Sequence, residues 1–138
     1  MRKILFTVTV LAIVLTMSNC KDDNDTEEAA NPLIGTWERG GTSEYVFTEN
    51  NVNFRAYAGD VVVLVVDNTG VYTFDGKWAI ITYDTEALMK NEVILYDESK
   101  KHLYSLGYFY DDLKDIDGNT MPPETYTPFP GSQYVKIK

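Results

Sequence analysis

From Leu33 onward the chain is cut into short apolar-rich runs by residues suited to turns, and this punctuation constrains the fold more than any other feature. Nine runs stand out: Thr36–Arg39, Ser43–Thr48, Val52–Tyr57, Val61–Val66, Val71–Phe74, Trp78–Tyr83, Glu92–Tyr96, His102–Tyr110 and Tyr134–Ile137. Runs this short and this evenly spaced belong to antiparallel sheets that turn back on themselves, and no long helical period interrupts them. Between them, Gly40–Gly41, Asn50–Asn51, Asn68–Thr69–Gly70 and Asp75–Gly76 supply residues that tolerate the positive φ of tight hairpins. The clearest hairpin is Asp75–Gly76 between Tyr72–Phe74 and Trp78–Ile80. The expected fold is all-β: a small antiparallel up-and-down barrel of about eight strands, with a β-sandwich as the alternative.

Alternation along each run selects the inward residues, because successive side chains of a strand point to opposite faces. The inward candidates are Tyr45 and Phe47; Val52, Phe54 and Ala56; Tyr72 and Phe74; Tyr104, Leu106 and Tyr108; and Val135 and Ile137. Asn53, Arg55, Lys136 and Lys138 then face water. Val61–Val66 breaks the rule with six apolar residues in a row, so its second face calls for a cover. The 111–131 connection could provide it, as could a second subunit in a homo-oligomer formed through Val61–Val66. Thr85–Lys90 reads as a helical turn or two, capped by Thr85.

The 138 residues suffice for one compact domain, and 44% are apolar, with ten tyrosines among the aromatics. The net charge is −9; removal of Arg2 and Lys3 with a leader peptide would make it −11. A chain this acidic repels phosphate, so neither nucleic acid nor an anionic membrane surface is an expected partner. Cys20 is the single cysteine, so the domain is held by packing and not by an internal disulfide.

Arg2 and Lys3 precede an apolar stretch, Ile4–Met17, interrupted only by threonines. As a helix it would reach roughly 21 Å, short of the roughly 30 Å that spans a bilayer, which is the proportion of an export signal. Leu15–Thr16–Met17–Ser18–Asn19–Cys20 resembles the lipobox of bacterial lipoproteins, with Asn19 where a smaller residue is usual. Lys21–Asp22–Asp23 resembles the surface-export signal of Bacteroidetes-type lipoproteins. The resemblance implies that Cys20 carries diacylglycerol and palmitate-type acyl chains, with the protein on the outer membrane, exposed at the cell surface and touching the bilayer through that anchor only. The chain then divides into a signal peptide at 1–19, the lipidated cysteine and an acidic tether at 20–32, and the β domain at 33–138. Lys21–Asn31 carries five acids and one base, too polar to pack.

The domain opens on Leu33–Ile34–Gly35–Thr36–Trp37, which resembles the Gly-x-Trp opening of lipocalin and calycin barrels, and the hairpin Tyr72–Lys77 is similar to those of bacterial lipocalin-like domains. The resemblance implies a Trp closing one barrel end beneath a cavity for an apolar or amphipathic ligand, with Trp37, Tyr45, Phe54, Tyr72, Phe74 and Trp78 as lining. A barrel this small is equally often filled by its own side chains. In that case the domain is an interaction module for an envelope protein or glycan, engaged through Tyr126 and Phe129 in the proline-rich connection.

No constellation points to catalysis, and the expected protein is not an enzyme. His102, the only histidine, stands three residues before Ser105 on the opposite strand face. One histidine and one cysteine cannot furnish a zinc site, and no cofactor or metal is expected. Asp111–Asn119 with Glu124 has the look of a calcium loop, but Leu113 stands where the first carboxylate belongs, and Pro122 and Pro123 prevent the exit helix. The anchor has a direct check: Cys20→Ala should move the protein from the membrane fraction to the soluble fraction in cell fractionation, and continued membrane association would refute it.

Overall fold

A computed structural model describes residues 30–58 and 63–138. Among these, eight strands form a closed antiparallel barrel in which each strand pairs with its chain neighbour and β8 returns to β1. The strands are β1 (Gly35–Arg39), β2 (Ser43–Phe47), β3 (Asn51–Ala58), β4 (Val63–Phe74), β5 (Trp78–Tyr83), β6 (Asn91–Asp97), β7 (His102–Phe109) and β8 (Gln133–Lys136). The compact unit begins at Asn31, whose side chain donates to the Tyr72 hydroxyl and accepts from the Leu33 amide. The leader, Cys20 and Lys21–Asp22–Asp23 lie outside the described residues, as do Val61 and Val62.

Turn chemistry accounts for the clearest hairpin. Asp75 Oδ1 accepts from the amides of Lys77 and Trp78, at 2.9 and 2.6 Å, while Gly76 takes φ +98°. Asn68–Thr69–Gly70, expected as a turn, instead runs through the middle of β4 and joins two of the expected runs into one twelve-residue strand. Gly70 serves proximity there: a Cβ would stand 2.6 Å from the Thr82 carbonyl oxygen on β5. Thr85–Lys90 forms no helix; the Thr85 hydroxyl accepts from the Ala87 amide within the β5–β6 connection.

Two register effects correct the inward assignment. Tyr134 points into the barrel, and Val135 and Ile137 face out, the reverse of the expected phase in β8. In β7 an irregularity opposite Val93/Ile94, with Gly107 at φ +102°, shifts the alternation. Leu103 and Ser105 therefore point inward, Tyr104 and Leu106 outward, and Tyr108 inward again, with its ring 5.9 Å from Tyr83.

The long β7–β8 connection covers a different face from the one expected. Leu113, Met121 and Tyr126 pack on an outer cluster of Trp78, Val93, Leu95, Tyr104 and Phe109. Val63, Leu64 and Val65 remain about half exposed, because pairing of β4 with β5 begins only at Gly70↔Tyr83.

Closure is made at a short seam. Trp37 pairs with Lys136 and Glu38 with Val135, and two further backbone bonds join Thr36 to Lys138 and Ile137. Gly35 permits it, with φ +132° and space that a Cβ would take from the Lys138 carbonyl oxygen. Gly35→Ala should destabilise the domain by about 1–3 kcal/mol, read as a lower urea midpoint with faster amide exchange at Thr36 and Ile137. An unchanged midpoint would show that the seam tolerates the side chain.

Candidate functional site

An up-and-down meander places alternate connections at opposite ends, which sorts the interior into two halves. The β2–β3, β4–β5 and β6–β7 turns share one end with Leu33, and the interior near it is apolar: Phe47, Phe74, Tyr96 and Leu103 surround Trp37. The indole of Trp37 is 1% exposed, donates to the Leu33 carbonyl at 2.7 Å and meets the Tyr96 ring edge-on at 6.1 Å. Tyr72 stacks edge-on to Phe47 at 5.0 Å and donates to the Thr48 carbonyl, which ties the β2–β3 turn to β4. This half is a packed floor.

The opposite half, toward the β5–β6 and β7–β8 connections, is lined with hydroxyls around one carboxyl. Glu92, second residue of β6, is 2% exposed. Tyr45 and Ser105 donate to its Oε1 and Tyr83 to its Oε2, each at 2.5 Å. Ser43 and Tyr134 share a buried hydroxyl–hydroxyl bond of 2.8 Å, and Tyr134 packs on Tyr45 at 4.7 Å between ring centres. Tyr108 stands outermost, 37% exposed, and among the described residues its hydroxyl has no hydrogen-bond partner.

Burial dominates the electrostatics. Loss of hydration raises the pKa of Glu92 above the ordinary glutamate value, and the three hydroxyl donors only partly offset this. Tyr45, Tyr83 and Tyr108 are all raised, first by burial and then by the nearby Glu92 charge. Glu92 takes part in no ion pair among the described residues.

Of the expected lining residues, Trp37, Tyr45, Phe54, Tyr72 and Phe74 share the interior, and they touch one another: Tyr45 and Phe54 lie 4.8 Å apart. Trp78 does not join them. It lies on the outer face of β5 against Tyr126, whose ring is 6.4 Å away. Tyr126 is therefore half-buried in packing, while Phe129 is 77% exposed. Asp115 accepts from the amides of Asp117 and Asn119 and from the Asn119 side chain, so this carboxylate stabilises its own turn. His102 faces outward beside Tyr104, away from Ser105.

Sequence reasoning missed Glu92. The signal was available, since alternation puts Glu92 on the same face as Ile94 and Tyr96, both buried in the interior. The chain matches no protein-family model, and no curated protein or solved structure matches it either.

The raised pKa has a signed consequence for stability. Between the ordinary value of 4.5 and the higher folded-state pKa, the folded protein holds a proton that the unfolded chain has lost. Stability from this group is therefore full below about pH 4.5 and falls as pH rises, by up to about 1.4 kcal/mol per pH unit across that window. Asp75, Asp97 and Asp115 are lowered by hydrogen bonds and act in the opposite direction, below their ordinary 3.8. Urea midpoints of wild type and Glu92→Gln compared from pH 4 to 8 should show the variant gaining relative stability as pH rises; a constant difference would mean that Glu92 ionises as freely as in the unfolded chain.

Proposed function

We infer that this chain is a cell-envelope lipoprotein, anchored through Cys20 at the outer-membrane surface, whose barrel binds a small amphipathic molecule without catalysing a reaction on it. The observation that carries this reading is the buried carboxyl of Glu92. Taking a carboxylate out of water costs several kcal/mol, and apolar side chains of similar volume commonly stabilise a closed core better. A barrel whose interior served packing alone would have no use for Glu92 beside Tyr45, Tyr83 and Ser105. Perturbed groups of this kind concentrate at functional sites.

The division of the interior supports a direction of entry. The apolar half around Trp37 is closed by its own rings, so a guest approaches from the hydroxyl-lined end, past Tyr108. Its polar group meets the Glu92 cluster, and its apolar part lies against Phe54 and the Tyr108 ring. This arrangement agrees with the lipocalin-like resemblance of Gly35–Thr36–Trp37, in which the Trp is the floor and the guest lies above it. It also narrows the expected lining to the upper residues: Tyr45 and Phe54 remain, and Tyr83 and Tyr108 join them.

Native mass spectrometry of the chain extracted gently from its own envelope tests the reading. A stoichiometric small-molecule adduct beyond the lipid on Cys20, weakened in Tyr108→Ala, is expected. A clean mass in every preparation would overturn the carrier reading.

A further inference from the structure

We propose that the guest of the hydroxyl-lined end carries a positively charged nitrogen, an alkylammonium or quaternary ammonium group, held against Glu92 among the rings of Tyr45, Tyr83 and Tyr108. This assignment of ligand class rests on the carrier reading above. The three hydroxyls that converge on Glu92 can all donate to its ionised form, but they supply no opposite charge. The titratable groups facing it from the surrounding strands are Tyr45 on β2, Tyr83 on β5, Tyr108 on β7 and Tyr134 on β8, and none is basic. The ion pairs among the described residues use other carboxylates: Glu44, Asp67, Asp97, Asp111 and Asp112. Glu92 is therefore hydrogen-bonded but has no cationic partner among the described residues, and its ionised form is the one an arriving cation would select.

The surroundings select among guests. Aromatic faces attract organic cations through their quadrupoles, most strongly where water is excluded. A fatty-acid carboxylate would meet like charge at Glu92 in a low-dielectric interior. A neutral alcohol could donate one hydrogen bond but would leave the charge unbalanced. The acidic surface of the chain adds a field that concentrates cations and disfavours anions. Binding also moves a proton: where Glu92 is protonated in the free protein, an arriving cation stabilises the carboxylate, and the proton leaves to solvent.

Isothermal titration of the full lipidated chain in phosphatidylcholine nanodiscs, with empty discs as the blank, tests this with three probes of similar length: hexyltrimethylammonium, hexanol and heptanoate. The ammonium should bind about tenfold more tightly than the other two, on the scale of a desolvated cation–aromatic contact. Wherever Glu92 is protonated in the free protein, the apparent enthalpy of ammonium binding should change with the ionisation enthalpy of the buffer, which reports the released proton. In Glu92→Gln the preference ratio should fall to near one and the buffer dependence should vanish; Tyr108→Leu, a change at the rim of the barrel, should reduce the preference while keeping the buffer dependence. Equal binding of the three probes, preference for heptanoate, or retention of the preference in a folded Glu92→Gln would overturn the cation assignment and leave the carrier reading standing. No binding of any probe would overturn both.

Discussion

Closing eight short strands on themselves fixes how wide the interior is, and everything else in the domain follows from that width. A barrel of this strand number has room for its own inward side chains or, at most, for one small guest beside them, so each interior position is set by whatever residue the register delivers. The register is pinned at the β1–β8 seam. Only Trp37↔Lys136 and Glu38↔Val135 pair there, supplemented by the backbone bonds of Thr36. Gly35 lets the two chain segments approach, and the next inward residue after it is Trp37. One short seam thus closes the sheet and drives the largest aromatic ring into its floor.

With the floor occupied by rings, the polar interior positions collect at the other end. A buried polar network stabilises only if each member is satisfied, and a partly satisfied one is worse than an apolar core. Tyr45, Tyr83 and Ser105 each place a hydroxyl on Glu92, and Ser43 pairs with Tyr134, so donors and acceptors are largely matched. No cation balances the carboxyl among the described residues, and burial accordingly raises its pKa toward the protonated acid. The network thus combines good hydrogen bonding with a carboxyl whose ionisation burial opposes.

The sequence made the barrel legible because turn chemistry and alternation act locally. Asp75–Gly76 forms its hairpin through contacts within four residues, and β2 keeps its Tyr45/Phe47 phase throughout. What failed depended on distant parts. Asn68–Thr69–Gly70 has the composition of a turn, but Gly70 is there for the approach of β5, a contact that composition does not record. The phase of β7 shifts before Gly107 because of its pairing with β6, which leaves Tyr104 and Leu106 outside while Tyr108 takes the inward place expected of it. Trp78, expected in the interior with the other aromatics, lies outside, where strict alternation from Ala79, Ile81 and Tyr83 puts it.

The β7–β8 connection joins these threads. Its proline-rich course cannot enter the sheet, so it lies across the outer face of β5, β6 and β7, where Leu113, Met121 and Tyr126 bury Val93, Leu95 and Trp78. From Asn91 to Tyr96, β6 is consequently buried on both faces, unlike any other strand of the barrel. Water is thereby kept from the outside of the strand that carries Glu92, and the low-dielectric environment of the carboxyl depends on the outer cover as well as on the tyrosines within. On this view the apolar residues of the connection are part of the electrostatics of the site, because Val93, next to Glu92 on β6, has its outward side chain in the cluster they cover.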